Sequence, residues 1–120
     1  MTGFVVFAHG SKLEAANEAV RAVSASLAAS ADRVVETAFL ELGNPDLPGA
    51  VRRLIARGAE RVVVIPYFLT LGRHVEQDLP RIVKEIAREH GAVPIEVTPP
   101  LDGHPALLEV LLARAREALV

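Results

Sequence analysis

Four short apolar runs alternate with longer amphipathic stretches along the chain. Short runs rich in valine, isoleucine and phenylalanine are typical of strands that are buried on both faces of a parallel sheet. The stretches between them repeat apolar residues three and four positions apart, as an amphipathic helix requires. We therefore predict strands at Gly3–Ala8, Arg33–Leu40, Arg61–Pro66 and Pro94–Thr98.

The amphipathic stretches predict four helices. Their apolar repeats are Ala16, Val20, Val23 and Leu27; Val51, Leu54 and Ile55; Leu79, Ile82, Val83 and Ile86; and Leu107, Leu108, Leu111 and Leu112. The order β-α-β-α-β-α-β-α with right-handed crossovers predicts an α/β fold, a single doubly wound flavodoxin-like domain over residues 1–120. Its four-stranded parallel sheet is expected in the order 2-1-3-4, with helices on both faces.

Residues at the ends of the predicted helices fit known start and stop signals. Ser11–Glu14 fits a capping box, in which the first and fourth side chains satisfy free backbone N–H groups. Asn44-Pro45 and Pro48 fit the entry to the second helix. Gly58 and Gly91 fit the left-handed position that follows a helix.

Composition and charge narrow the classes of partner. Thirteen Lys and Arg against fifteen Asp and Glu give a formal net charge of -2, so no basic field favours nucleic-acid binding. Because cysteine is absent, a metal would be bound by nitrogen and oxygen ligands. No apolar run reaches the ~20 residues of a membrane-spanning helix. No targeting signal precedes the first strand, and a cytoplasmic protein is expected.

Polar residues follow the predicted strands at the carboxyl edge of the sheet, where open α/β sheets bind their ligands. His9 follows the first strand, Glu41 follows the second, and His74 is predicted in the loop after the third. Imidazoles and a carboxylate on one edge suit an open divalent-metal site. From position alone, a structural role for His9 or Glu41 is about equally well supported.

Three further polar residues have structural interpretations that we favour. Asp102 is predicted as the N-cap of the last helix, and His104, next to Pro105, as part of the start of that helix. His90 falls in the last turn of a predicted helix, where a partly positive imidazole interacts favourably with the helix dipole.

The segment Tyr67–His74 combines apolar side chains with a flexible glycine, a cation and an imidazole. It suits an apolar, flat or bulky ligand that carries carboxylates, with Arg73 paired to an acidic group. The alternative is a hydrophobic strand extension that is buried in the core or in a dimer interface. Gly10-Ser11 fits an anion site at a helix N-terminus, but the glycine fingerprints of dinucleotide sites and P-loops are absent.

Five short motifs follow one another along nearly the whole chain. They are Phe7–Ser11, Ala38–Leu42, Gly58-Ala59 with Val62–Pro66, Leu71–Val75 with Asp78–Pro80, and Pro99–Leu101 with His104-Pro105. Together they resemble the sirohydrochlorin cobaltochelatase/ferrochelatase family. The resemblance implies a small single-domain class II chelatase. Such an enzyme inserts a divalent metal into sirohydrochlorin without ATP, on a route to cobalamin, sirohaem or a nickel tetrapyrrole.

The resemblance also implies roles for individual residues. His9 and His74 match the metal-binding and catalytic histidines of the family, and Glu41 matches an acidic position of the same cleft. The substrate-binding residues that we expect are Gly10, Ser11, Phe68, Leu69, Thr70, Leu71, Gly72 and Arg73. No tightly bound cofactor is expected, because the divalent metal ion (Co²⁺, Fe²⁺ or Ni²⁺) is a substrate. The small type is expected to form a homodimer with substrate clefts between the two copies.

Two functions of other classes stay open at this point. A non-catalytic metal or tetrapyrrole carrier would use the same residues without turnover. A flavodoxin-like interaction module would bind no tetrapyrrole at all, and its histidines at the sheet edge would be replaceable without consequence.

Overall fold

Strands and helices alternate strictly in the computed structural model, which describes residues 1–91 and 93–120. The elements are β1 (Thr2–Ala8), α1 (Glu14–Ala31), β2 (Val34–Phe39), α2 (Leu47–Ala56), β3 (Arg61–Pro66), α3 (Arg73–Glu89), β4 (Ile95–Val97) and α4 (Pro105–Ala118). All strand pairs are parallel, and their order is β2-β1-β3-β4. This confirms the predicted α/β fold and the predicted strand order.

The strand β1 lies at the centre because its residues are apolar on both faces. It pairs with β2 on one side and with β3 on the other. Val5 and Phe7 face a core that also contains Val51 and Leu54 of α2 and Leu79 of α3. On the next strand, Ala38 joins this core, whereas Thr37 bonds to Ser24 of α1. Since successive strand residues point to opposite faces, α1 and α2 cover opposite faces of the sheet.

The second helix starts and ends as the sequence predicts. Asp46 is its N-cap, and the side chain accepts a hydrogen bond from the backbone N–H of Gly49 at 2.9 Å, with Pro48 in the first turn. Gly58 follows the helix at φ +99°, and the N–H of Ala59 bonds back to the carbonyl of Leu54. Such a left-handed residue is the usual end of a helix, and Gly91 (φ +59°) plays the same part after α3.

The capping box predicted at Ser11–Glu14 is wrong. The N-cap of α1 is Leu13, which has no side-chain cap. The hydroxyl of Ser11 instead accepts a bond from the N–H of Leu13. The backbone of Ser11 is engaged by Asn17, and this holds Ser11 outside the helix.

The N-cap predicted for the last helix at Asp102 is also wrong. His104 occupies that position, and its Nδ1 accepts a bond from the N–H of Ala106 at 3.0 Å. Gly103, at φ +81°, separates Asp102 from the helix, and Pro105 fills the first helical position. The structural interpretation of His104 as part of the helix start is confirmed.

The last helix, α4, differs from the other three because it has no buried residue. Its apolar side chains Leu108, Val110, Leu111 and Leu112 are exposed. The leucine repeat therefore predicted the helix correctly, but these side chains do not belong to the core of this chain. Among the described residues, none of the helices is both long and apolar enough to cross a membrane.

Candidate functional site

The register of the sheet brings three loops to one edge. Ala8 pairs with Phe39, and Phe7 pairs with Pro66, so β1, β2 and β3 end side by side. The pairing continues beyond the strands, because the N–H of Glu41 bonds to the carbonyl of His9 at 3.1 Å. The loops that follow β1 and β2 thus stay in contact, as the predicted cluster at the carboxyl edge requires.

His9 and Glu41 lie together at this edge, as the sequence predicts. The Nδ1 of His9 is 3.7 Å from a carboxylate oxygen of Glu41, and 57% of each side chain is exposed. This separation is too long for a hydrogen bond, so the two groups attract each other mainly when the imidazole is protonated. Both groups face solvent, where they can receive a cation or a proton.

Gly10 allows the two loops to approach this closely. Its φ is +95°, and a Cβ at this position would lie 1.7 Å from the backbone oxygen of Glu41. No other amino acid fits there without separating the loops. Residues 9–11 and 41–42 are called the tethered loops below.

A buried residue of α1, Asn17, connects the tethered loops and was missed by the sequence analysis. The expected inner face of α1 used Ala16 and Val23, but the buried positions are Asn17 and Ser24, and Val23 is exposed. Hydrophobic periodicity does not reveal a polar residue that is buried with all its partners. The signal in the sequence was the spacing of seven between two polar residues, which places them on one helix face.

His74 lies in the first turn of α3 and not in the loop where it was predicted. The reason is that Gly72 is extended (φ -66°, ψ 160°) and serves as the N-cap, so the helix begins at Arg73. Exposed His74 lines a small apolar cavity that also contains Phe7 of β1 and Leu40, which precedes Glu41. Arg73 is exposed and forms no ion pair with any residue that the structure describes.

Residues 67–72, called the apolar loop below, form the other side of this edge. Leu69 is 66% exposed, and the Phe68 ring lies edge-on to the rings of Phe7 and His9 at centroid distances of 5.9 and 6.3 Å. The carbonyl oxygens of Phe68 and Leu69 accept bonds from the N–H groups of Leu101 and Asp102. Because β3 ends at Pro66, this segment is a loop and not a strand extension.

A cationic residue of α1, Arg21, contacts the segments that flank the tethered loops. It donates to Glu14 at 2.6 Å and to the carbonyl of Asn44, and it stacks over the Phe39 ring at 5.2 Å. Hydrogen bonding to Arg21 holds the pKa of the Glu14 carboxyl below its usual value. The same bond, together with the bond that Arg21 donates to Glu18, raises the pKa of Arg21, which stays charged.

The described part of the chain shows no ready-made metal site. In residues 1–91 and 93–120, no group of three or more His, Asp or Glu side chains is placed to hold a metal ion. His9 and Glu41 are two possible ligands that lie 3.7 Å apart at the carboxyl edge.

Several curated proteins are similar to this chain. The chloroplastic sirohydrochlorin ferrochelatase of Arabidopsis thaliana is 37% identical over 86 residues, which cover 72% of this chain but only 38% of that protein. A sirohydrochlorin cobaltochelatase of Saccharolobus solfataricus is 31% identical over 123 residues, covering 98% of this chain and 95% of the relative.

Solved structures share the fold. A putative cobalamin biosynthesis CbiX protein from Marinobacter aquaeolei VT8 superposes with a TM-score of 0.87 and 28% identity, and covers 99% of this chain and 98% of its own. The sirohydrochlorin chelatase SirB from Bacillus subtilis subspecies spizizenii, solved in complex with cobalt, gives a TM-score of 0.88 at 21% identity. The match covers 97% of this chain and 50% of SirB, so at this identity it supports the fold alone.

The sequence profile named CbiX matches residues 3–118, nearly the whole chain. This match agrees with the curated relatives and with the motifs around His9, Glu41 and His74. The chain belongs to the CbiX family of sirohydrochlorin metal chelatases.

Proposed function

We propose that this protein inserts a divalent metal ion, Co²⁺, Fe²⁺ or Ni²⁺, into sirohydrochlorin without ATP. The product would serve cobalamin, sirohaem or related tetrapyrrole biosynthesis. The observation that carries the proposal is the solvent-facing pair His9 and Glu41, 3.7 Å apart beside the apolar loop. Family membership supports the same reaction class, and relatives are named as both cobaltochelatases and ferrochelatases.

The reaction requires ligands and bases rather than a nucleophile. Two pyrrole N–H bonds break, the ring nitrogens bind the metal ion, and two protons leave. We assign His9 and His74 to hold the incoming ion and to accept the pyrrole protons, because neutral imidazole does both near pH 7. Glu41 adds negative charge beside His9 or passes protons to solvent.

The macrocycle would lie against the apolar loop, with Phe68–Gly72 as its binding wall. Leu69 is exposed without a partner of its own in the described chain, which suits contact with a flat apolar ring. Arg73 and the Gly10-Ser11 turn would bind the peripheral carboxylates. Asn17 already occupies the backbone N–H of Ser11, so Ser11 would act through its hydroxyl proton.

A second copy of the chain is part of the proposal. The leucines of α4 are exposed, and one chain alone lacks a three-ligand metal site among its described residues. A homodimer would cover α4 and place the substrate cleft between two copies.

Sedimentation tests this assembly. The wild type should have twice the mass of one chain, and Leu111→Glu should shift the measured mass toward that of one chain. A wild-type protein that sediments only as a monomer would contradict this assembly.

The central experiment follows the absorbance spectrum of sirohydrochlorin with catalytic amounts of protein. Parallel reactions contain Co²⁺, Ni²⁺, or Fe²⁺ under anaerobic conditions. We expect multiple turnovers with at least one metal, and this metal would identify the pathway. His9→Ala and His74→Ala should each lower the rate by about 10²-fold or more, as the loss of a positioned base does.

His104→Asn provides the matched control for the two histidine variants. It removes an imidazole at the same edge of the sheet but keeps a side-chain acceptor for the N–H of Ala106, so the rate should stay near that of the wild type. Unchanged rates in both His9→Ala and His74→Ala would remove this mechanism. Insertion that stops at one metal per chain would identify a carrier instead.

A further inference from the structure

Asn17 is the most completely buried polar side chain of α1, with 1% of its surface exposed. Its Oδ1 accepts a hydrogen bond from the N–H of Ser11 at 2.9 Å. Its Nδ2 donates to the carbonyl of Ser11 and to the carbonyl of Leu42, each at 2.9 Å. Both donors of this buried amide are used and its oxygen has a partner, so a lost partner would cost the desolvation of the group left behind.

These three hydrogen bonds join the two tethered loops. Ser11 lies two residues after His9, and Leu42 directly follows Glu41. On the other side of the same pair, the N–H of Glu41 bonds to the carbonyl of His9. The backbones of His9 and Glu41 are therefore held together on one side by their own hydrogen bond and on the other side by the Asn17 amide.

The backbone of Leu42 indicates how much this restraint matters. Leu42 has φ +58°, a left-handed conformation that a branched side chain adopts only when its surroundings impose it. Asn17 holds the carbonyl of this residue directly. Without the amide, Leu42 can relax to an extended conformation and carry Glu41 away from His9.

We propose that Asn17 is a positioning residue, whose amide fixes the distance between the His9 imidazole and the Glu41 carboxylate. It touches neither group and would contact neither metal nor ring. The proposal rests on the metal-insertion function proposed above, so its test needs one measurement that does not depend on activity.

Ser24 supplies a matched control on the same helix. It is 5% exposed, and its hydroxyl accepts a bond from Thr37 and donates to the carbonyl of Val20. Ser24→Ala therefore loses buried hydrogen bonds two helical turns away from the tethered loops. Any general cost of removing a buried polar group from α1 should appear in both variants.

The activity test compares Asn17→Ala with Ser24→Ala in Co²⁺ insertion. We expect kcat to fall at least tenfold further in Asn17→Ala than in Ser24→Ala, with a smaller rise in the KM for sirohydrochlorin, because Asn17 also holds the backbone of Ser11. In a His9→Ala background, Asn17→Ala should cause no further loss of rate. Equal kcat values for the two single variants, or an undiminished effect without His9, would overturn the proposal.

The second measurement uses the absence of cysteine from the chain. In the double variant His9→Cys/Glu41→Cys, with oxidised glutathione as the oxidant, the rate of intramolecular disulfide formation reports how closely the two positions are held. Adding Asn17→Ala should slow this rate several-fold, whereas adding Ser24→Ala should leave it unchanged. Equal rates with and without Asn17 would overturn the positioning role even if the wild type inserts metal. If the wild type inserts no metal but Asn17→Ala still slows disulfide formation in the double-cysteine variant, the positioning role is upheld and only the proposed function is rejected.

Discussion

The two sides of the candidate site are held in different ways. Asn17, Gly10 and a backbone hydrogen bond lock the tethered loops against each other, and His9 and Glu41 project from them. The apolar loop is held by backbone bonds at residues 67, 68, 69 and 72, and its side chains Tyr67 and Leu69 are exposed. Proton transfer and metal binding need fixed geometry, whereas binding a broad apolar ring needs mainly surface.

The largest effect is expected when one glycine of the tethered loops and one glycine of the apolar loop are each replaced by alanine. Gly10→Ala puts a Cβ 1.7 Å from the Glu41 oxygen in a left-handed conformation, whereas a Cβ at Gly72 meets nothing within 4 Å. We expect Gly10→Ala to lower the unfolding free energy by about 3 kcal/mol and to abolish insertion. Gly72→Ala should stay within about 0.5 kcal/mol. Urea unfolding measures the free energy of unfolding of each variant, and the sirohydrochlorin absorbance assay measures metal insertion. Equal losses in the two variants would contradict the proposed difference between the two sides of the site.

A smaller effect is expected from the exposed leucines of the two sides. Leu69 in the apolar loop is 66% exposed, and Leu13, just beyond the tethered loops, is 67% exposed. Leu69→Ser should raise the KM for sirohydrochlorin about five-fold with kcat unchanged, because a wall binds substrate and transition state alike. Leu13→Ser should leave both constants unaltered. Initial rates against substrate concentration distinguish these outcomes, and a fall in kcat for Leu69→Ser would assign the apolar loop to the chemical step.

The smallest effect is expected at His104, which caps α4 beyond the apolar loop. His104→Ala removes the acceptor for the N–H of Ala106 and should cost about 1 kcal/mol, which His104→Asn should restore. Neither variant should change the rate of metal insertion at saturating substrate. Thermal unfolding measures the change in stability. A rate that falls in His104→Ala and recovers in His104→Asn would show that the start of α4 belongs to the site.

Much of the fold follows from patterns that the chain makes visible. The apolar runs at residues 3–8, 33–40 and 61–66 predict three strands of the sheet, and the carboxyl edge brings His9 and Glu41 together because β1 and β2 are neighbours. The prediction placed His74 in a loop because it treated Gly72 as a flexible link, whereas an extended glycine also serves as an N-cap.

Other features depend on contacts that hydrophobicity does not encode. Asn17 and Ser24 are buried because each finds hydrogen-bond partners across the fold, and this rotates the inner face of α1 away from Val23. The leucine repeat predicts the helix α4, but an apolar repeat specifies only that a helix face is to be covered and not by which surface. The roles of His9, Glu41 and His74 in the reaction remain predictions.

The two bonds from Phe68 and Leu69 to Leu101 and Asp102 give α4 a mechanical connection to the candidate site. With a rise of about 1.5 Å per residue, the 14-residue helix extends roughly 21 Å from this junction. Any surface that packs on the exposed leucines of this helix would therefore be joined, through residues 101–104, to the wall on which the ring would rest. The exposed helix α4 and the apolar loop are thus joined through one short segment of the chain.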